Sequence, residues 1–489
     1  MDFINNIGEL LNQPILNADT YKATHWTFEH PKFENGYGYI EARKGGQFTF
    51  VQFFGLQYAL RYYLSQRVTT EMIDEAEEEL TAHGIPFNRA IWEWIVWNHD
   101  GYLPVRVKAV PEGTVVDQGT VLVTVESTDP KCAGIAAYVE TLLLRAVWYP
   151  TTIATRSMRW HNLLERYLVE SGTPELADWL MVDFGARGAS STESAAIGGM
   201  AHLVNFQVTD NLMGIRFAKH AYMWKGMPGY SIPATEHSVT TSWGPENEKA
   251  FFEHILEEHG NKTMPDGSRY PVSVVIDTYD QDEAIRKWLT PESEGGLLDR
   301  LRQTTMRLVQ RPDSGDPIIN VLHCLDLIGS LVGWTVNEKG YRVLPDYVRL
   351  IQGDGINEDS LRRILQRVTY HKWSVDNLVF GSGGGLLVHE AERDTHRFAM
   401  KTSYVVIDGM PRDVRKEVAT DPTKASKAGR FAVVARGGDG KLQTILEQEL
   451  AIGEVNYLST VYEDGALSNF QKWPTVRENA AKWRSVYQA

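Results

Sequence analysis

Cysteine is nearly absent from this chain: Cys132 and Cys324 are the only two in 489 residues. Two thiols build neither a disulfide framework nor a cysteine-based zinc cluster, and such sparing use fits a reducing compartment, the cytosol. Long apolar runs are missing too. No stretch reaches the ~20 uninterrupted apolar residues that crossing a bilayer requires, so no membrane association is expected. Met1 to Asn17 lacks a basic region followed by an apolar core and a small-residue cleavage site, so no secretory leader is expected. Basic side chains are outnumbered, 49 Lys and Arg against 63 Asp and Glu, for a net charge of −14. That balance excludes a protein that coats nucleic acid with a broad basic face, and leaves room for a local basic pocket that binds a small phosphorylated substrate. There is no internal repeat, no low-complexity tract, no G-x-S-x-G elbow and no G-x-x-x-x-G-K-[ST] loop.

What is present is the balance of an ordinary globular protein, 43% hydrophobic and 23% charged, long enough to bury a large core. Two domains are expected: an N-terminal α+β sheet domain over residues 1–150, joined by a C-terminal segment over 395–489, and an α/β barrel over 151–394. Between Leu103 and Val125 the residues alternate as short strands, punctuated by turns at Pro111-Glu112-Gly113 and Gln118-Gly119, which predicts an antiparallel sheet. Thr70 to Ala82 and Cys132 to Tyr149 read as helices. From about residue 180 the rhythm becomes strand, polar loop, helix, the signature of parallel βα units. The expected strands are Trp179 to Phe184, Val272 to Ile276, Arg307 to Val309, Tyr347 to Ile351 and Leu378 to Phe380, with helices at Asp282 to Leu289, Ile318 to Ile328 and Asp359 to Val368. After about residue 395 short strands return around a polar loop from Asp421 to Gly429.

Each parallel strand runs into charged or glycine-rich residues. In such folds the carboxyl ends of the strands share one face, so these loops should gather although they lie far apart in sequence. The run Gly381 to Gly385 lets backbone N–H groups approach an anion, with a following helix end to add positive potential; glycine clusters also serve tight turns. In Arg311 to Gly315 a guanidinium stands two residues from a carboxylate. It can grip a phosphate while Asp313 orients ribose hydroxyls or a magnesium ion, or the two can form a structural ion pair. Asp277 and Asp354 at neighbouring strand ends favour the binding reading, because several unpaired carboxylates at one rim are costly. His237, after Glu236, is not distinguished by spacing alone from a packed or solvated histidine.

Taken together, these segments resemble the nicotinamide phosphoribosyltransferase family along nearly the whole chain. The matching motifs, in order, are Ile15 to Lys22, Phe54 to Tyr58, Asp183-Phe184-Gly185 with Arg187-Gly188, His202 to Phe206, Pro228 to Ser231, Glu236-His237-Ser238, Arg311 to Gly315, Ile351 to Gly355 and Phe380 to Leu387. The resemblance implies a type II phosphoribosyltransferase fold, an irregular α/β barrel with a second mixed α+β sheet domain built from the N- and C-terminal segments, working as a homodimer with shared active sites. It implies transfer of the phosphoribosyl group of phosphoribosyl pyrophosphate to nicotinamide, with Mg²⁺ accompanying the pyrophosphate and ATP as an activator through phosphorylated His237.

By the same resemblance the pyridine ring stacks between Phe184 and Tyr21 of the partner subunit, and Asp210 meets the carboxamide. Arg187 and Arg311 hold the pyrophosphate and ribose phosphate. His237 is the catalytic histidine, with Asp277 and Asp313 as its partners. Asp313, Gly353, Asp354 and Gly384 contact the mononucleotide, and Arg393 with Arg43 and Lys401 forms the 5′-phosphate set. The chain departs from the family at Ala186, where relatives often carry an aromatic residue, after Ala42, where it is shorter, and over Val388 to Glu392, one residue longer.

Three other functions would use parts of the same sequence. A nicotinate phosphoribosyltransferase would share fold and leaving group, but Asp210 repels the carboxylate of nicotinic acid while accepting a hydrogen bond from an amide. A silent binding protein of the same fold has no use for His237, Arg311, Asp313 and the glycine run. A barrel glycosidase using Asp277 and Asp354 leaves the arginines unexplained.

Overall fold

The computed structural model describes residues 7–416, 426–436 and 440–487, so residues 421–425 of the expected polar loop lie outside it. The chain divides into two compact units: residues 1–155, 218–225 and 390–489 form one, and residues 156–217 and 226–389 the other. Among the described residues no helix is long and apolar enough to cross a membrane.

In the first unit, strand Phe33–Ala42 lies between the C-terminal strand Phe398–Ile407 and strand Val121–Ser127, antiparallel to both. The sheet has seven strands and continues through Val105–Ala109 to Ser459–Glu463, so early and late segments of the chain share one sheet. The turn expected at Pro111 to Gly113 is present, with Gly113 at φ 88°, where a Cβ would also stand 2.4 Å from the carbonyl oxygen of Val476. One strand of the expected meander leaves the sheet: Val115–Asp117 pairs with Phe50–Gln52 instead. Helix Thr70–Ala82 has the expected bounds, capped by the Thr69 side chain, which accepts from the N–H of Met72.

The helix expected to end at Tyr149 runs over Glu140–Ser171, with Pro150 inside it. Proline removes one helix hydrogen bond and normally breaks the element. Here its ring is held against Gly55, where a Cβ would stand 2.3 Å from Pro150 Cγ, and the next residue is tied down as Thr151 Oγ1 donates to Phe54 O at 3.2 Å. Buried side chains such as Ile153, Leu164 and Leu168 then hold the continuation.

All five expected parallel strands are present in the second unit: Met181–Asp183, Tyr270–Val275, Met306–Arg311, Val348–Gln352 and Leu378–Ser382. They form one sheet in which Met181–Asp183 pairs with Leu378–Ser382, then Val348–Gln352, Met306–Arg311 and finally Tyr270–Val275. The ring is completed by single-residue parallel bridges, Ala234 to Ser273, Val208 to Tyr230 and Asp183 to Thr209. These make the barrel irregular. Trp179, expected to open the first strand, instead ends a 3₁₀ helix at Pro174–Trp179. Val182, Val309 and Ile351 form the buried interior layer, with Phe184, Val208, Ile232 and Val379 packed on it.

Three helices that follow strands each begin one residue before their expected start, at Gln281, Pro317 and Glu358, and extend to Leu289, Val332 and Tyr370. The reason is their caps. Asp280, Asp316 and Asn357 each accept a backbone N–H of the first turn, and Pro317 supplies a preset φ where no N–H is needed.

Candidate active site

The carboxyl ends of the parallel strands carry the expected side chains, and several meet. Asp277 follows strand Tyr270–Val275 and is almost buried, with 5% of its side chain exposed; Asp313 follows Met306–Arg311 and is 36% exposed. The N–H of Asp313 donates to Asp277 Oδ2 at 3.1 Å, which fixes the two carboxylates side by side. His237 opens a short helix, His237–Trp243, and places Nε2 3.7 Å from Asp277 Oδ1 and 3.7 Å from Asp313 Oδ2. Its other ring nitrogen pairs with Thr278 Oγ1 at 3.1 Å. The imidazole therefore has a fixed orientation and faces negative charge on one edge, while its side chain is 44% exposed.

Arg311 connects this group to the histidine segment. Its Nη2 donates to Thr235 O at 2.8 Å, two residues before His237, and its buried Nε has no hydrogen-bond partner. A buried N–H of a guanidinium without an acceptor is expensive unless an anion or water completes it. Asp277 Oδ1 is likewise buried without a hydrogen bond. The orphaned donor and orphaned acceptor mark the surface on which a charged ligand would be received.

Phe184 leaves strand Met181–Asp183 with its N–H donating to Ser382 O at 2.9 Å, and its ring lies against the end of strand Leu378–Ser382. A Cβ on Gly381 would stand 2.0 Å from Phe184 Cε2, and one on Gly353 would stand 3.0 Å from the same atom and 3.8 Å from Asp313 Oδ1. Glycine at 381 is thus required by the ring. Asp210 stands at the adjacent position of the barrel ring, its N–H donating to Asp183 O at 3.0 Å; its carboxylate is exposed and accepts from the Ser231 hydroxyl.

Arg187 lies in the 3₁₀ turn Ala186–Gly188 and is exposed. This turn borders the glycine run, since a Cβ on Gly188 would be 4.0 Å from Gly384 Cα. A Cβ on Gly384 itself would meet nothing within 4 Å, so no packing inside the protein demands glycine there. The helix expected to follow the run is a single turn, Gly384–Leu387, and so offers N–H groups without a long helix dipole. Asp354 is exposed, and its carbonyl accepts from Gln352 Nε2 at 2.9 Å.

The remaining expected residues lie in the first unit. Tyr21 is 56% exposed, packs edge-on against His25 and has Lys22 Nζ 5.3 Å from its ring centre. Arg43 Nε and Arg393 Nη1 donate to the successive carbonyls of Arg397 and Phe398, at 3.2 and 2.9 Å. Lys401 lies opposite Tyr39 in the paired strand; burial, together with the nearby charges of Arg43 and Lys22, lowers the pKa of its amine. Arg43, Arg393 and Lys401 therefore form one basic group.

Sequence reasoning did not single out Arg156, which is buried and donates to Gly385 O, Leu386 O and His389 O at 3.1, 2.6 and 2.6 Å, holding the far side of the glycine turn. Its neighbours Thr155 and Ser157 give no apolar contrast that would have singled it out.

A family model described as the nicotinate phosphoribosyltransferase (NAPRTase) family matches residues 179–466, and one described as the nicotinamide phosphoribosyltransferase N-terminal domain matches residues 13–107. The chain is 43% identical over 476 residues to a nicotinamide phosphoribosyltransferase of Xanthomonas campestris pv. campestris, covering 96% of this chain and 98% of that relative. Among solved structures, nicotinate-nucleotide pyrophosphorylase from Pyrococcus furiosus matches with a TM-score of 0.61 at 15% identity, covering 100% of both chains. Human nicotinic acid phosphoribosyltransferase matches with a TM-score of 0.59 at 17% identity, over 96% of this chain and 93% of that one. At those identities the structural matches speak for the fold.

Proposed function

The chain belongs to the nicotinamide phosphoribosyltransferase family, and from that premise we propose that it transfers the phosphoribosyl group of phosphoribosyl pyrophosphate to nicotinamide, giving nicotinamide mononucleotide and pyrophosphate for NAD salvage. The observation that carries the choice of base is the exposed Asp210 carboxylate, on a backbone bonded to the carbonyl immediately before Phe184. It accepts a hydrogen bond from a carboxamide NH₂ and repels a carboxylate, which disfavours nicotinic acid.

The pyridine nitrogen brings its own lone pair and carries no proton, so its attack on the anomeric carbon needs no general base. The bond to pyrophosphate breaks as the new C–N bond forms, and the leaving oxygen keeps the electron pair. The demand on the protein is electrostatic. Arg311, with its unpartnered buried Nε, and Arg187 on the adjoining turn neutralise the developing charge. Phe184 holds one face of the base, with Tyr21 of the partner subunit on the other in a homodimer. Gly353, Asp354 and Gly384 let the mononucleotide approach closely, and Arg43, Arg393 and Lys401 receive its 5′-phosphate.

Among the described residues no group of three or more His, Cys, Asp and Glu is placed to hold a metal. Magnesium commonly uses one or two carboxylates and takes its other ligands from phosphates and water, and the adjoining Asp277 and Asp313, with an orphaned oxygen on Asp277, fit that donor set. When bound, the ion supplies further neutralisation of the pyrophosphate. A cytoplasmic location fits the two buried free cysteines.

The test is direct: purified protein with phosphoribosyl pyrophosphate and nicotinamide should release mononucleotide and pyrophosphate in equal amounts, and absence of both overturns the reading. ATP is proposed to raise turnover by passing its γ-phosphoryl group to a ring nitrogen of His237, with release of ADP. His237→Ala should therefore lose the response to ATP and lower basal turnover by roughly 10- to 100-fold. Initial rates with and without ATP check this, and stimulation that persists in the variant contradicts the role.

A further inference from the structure

Two loops of the site, one bearing Phe184 and Arg187 and the other bearing Asp210, hang from a single buried carboxylate. We infer that Asp183 is the positioning residue that sets the spacing between the base-stacking ring and the base-selecting carboxylate, and through that spacing the preference for nicotinamide. The inference rests on the function proposed above.

Asp183 is wholly inaccessible, with 0% exposure. Its Oδ1 accepts the N–H of Gly185 at 2.7 Å, which pins the loop immediately after Phe184. Its Oδ2 accepts from Asn211 Nδ2 at 3.0 Å, which pins the residue immediately after Asp210. The Thr209 hydroxyl lies near the carboxylate and accepts the N–H of Asn211 at 3.0 Å, and the Asp183 carbonyl receives the N–H of Asp210. The bonds from Gly185 and Asn211 to the carboxylate are both donated, so the position calls for a group that accepts at both oxygens. Burial pushes the acid's pKa up to about 6, and hydrogen bonding from Gly185, Asn211 and Thr209 acts against that shift.

The link is stiff. Asn211 is 1% exposed and fully engaged, its amide also donating to Ala195 O at 2.8 Å and its oxygen accepting the N–H of Gly214 at 3.1 Å. A Cβ on Gly199 would stand 2.4 Å from Asn211 Nδ2 and 3.1 Å from Asp183 Oδ2, and one on Gly185 would stand 3.0 Å from Asp183 Oδ1. With no space around the pair, a change in its hydrogen bonding must be expressed as movement of the loops. Asp183 alternates with Val182 and Phe184, both of which pack on the barrel's interior layer, so it supports the base from behind without touching it.

The test is steady-state kinetics of Asp183→Asn with nicotinamide, nicotinic acid and phosphoribosyl pyrophosphate. An asparagine that accepts from Gly185 turns its NH₂ toward the NH₂ of Asn211, donor against donor. The expected result is a rise of about tenfold in KM for nicotinamide and an equal loss of preference over nicotinic acid, with KM for phosphoribosyl pyrophosphate within about twofold of wild type. The reciprocal swap Asp183→Asn with Asn211→Asp rebuilds an amide–carboxylate bond between the loops while giving up the donor to Ala195 O, and should recover part of the lost preference. Thr209→Val removes the hydroxyl that lies near the carboxylate and accepts the Asn211 N–H, and keeps the charge, so it stands in if Asp183→Asn does not fold; it should shift the same preference in the same direction by about threefold. Equal losses for both bases and phosphoribosyl pyrophosphate, or a swap that recovers nothing, would overturn the inference. Wild-type turnover of nicotinamide in the same assay reports separately on the functional reading.

Discussion

Replacing Arg311 by alanine is expected to lower kcat/KM for mononucleotide formation by about a thousandfold, the loss typical of removing a principal donor to a developing anion. The reasoning starts from the strand. Arg311 ends Met306–Arg311, so its backbone is fixed by pairing with Tyr270–Val275. One arm of its guanidinium is anchored to Thr235 O and the buried Nε remains open. A substrate phosphate would satisfy that donor, and the stabilisation would grow as the pyrophosphate leaves. Arg311→Lys keeps a charge but loses the fork that serves Thr235 and ligand together, so an intermediate loss of roughly 30- to 100-fold is expected. Added guanidinium should recover part of the alanine variant's activity. Similar rates for Arg311→Ala and wild type would remove the arginine from the chemistry.

The second large effect concerns glycine. Gly381→Val places a Cβ where the Phe184 ring now lies, within 2.0 to 2.8 Å of three ring atoms. The ring is a side-chain end and can swing away, so the protein should still fold. What is lost is the stacking surface, and KM for nicotinamide should rise by roughly 30- to 100-fold with little change in KM for phosphoribosyl pyrophosphate. Phe184→Ala should give a comparable rise. The double variant should be no worse than either single one, because both remove the same interaction. Additive losses would show that Gly381 serves something other than the ring.

These effects trace back to features of unequal legibility in the sequence. The five parallel strands are visible as short apolar runs ending in Asp277, Arg311 or Gly381, and the rule that such ends share a face brings Asp277, Arg311 and Asp313 together from sequence alone, whereas His237 joins them only through the family resemblance. The ring-closing segments around Thr209 and Tyr230 to Thr235 are not visible: they pair only through isolated single-residue bridges, too little for alternation to register, and Pro228 and Pro233 read as loop. Pro150 ends the helix as far as sequence shows, because the compensating partner, Gly55, lies far away in sequence. The helices after the strands start one residue earlier than apolar spacing predicts because their cap residues, Asp280, Asp316 and Asn357, carry no apolar signal.

Within the site, glycine 384 shows the opposite pattern to glycine 381. A side chain at the first would meet open space and one at the second would meet a ring, although both belong to one run of letters. Sequence cannot separate them, since the distinction lies in what approaches each backbone. Asp183 was legible only as part of a motif. Its burial, and its grip on Gly185 and Asn211, depend on a neighbouring loop that joins the barrel only through isolated bridges.

The central claim is that this site transfers phosphoribose to an amide-bearing pyridine chosen by Asp210. It is tested most directly by giving wild type and Asp210→Asn equal concentrations of nicotinamide and nicotinic acid with limiting phosphoribosyl pyrophosphate, and measuring the two mononucleotides. The account predicts nicotinamide mononucleotide as the dominant product of wild type, with the preference falling by about 100-fold in the variant as repulsion of the acid is removed. A wild type that makes chiefly the nicotinic acid product, or a variant with unchanged selectivity, would contradict it.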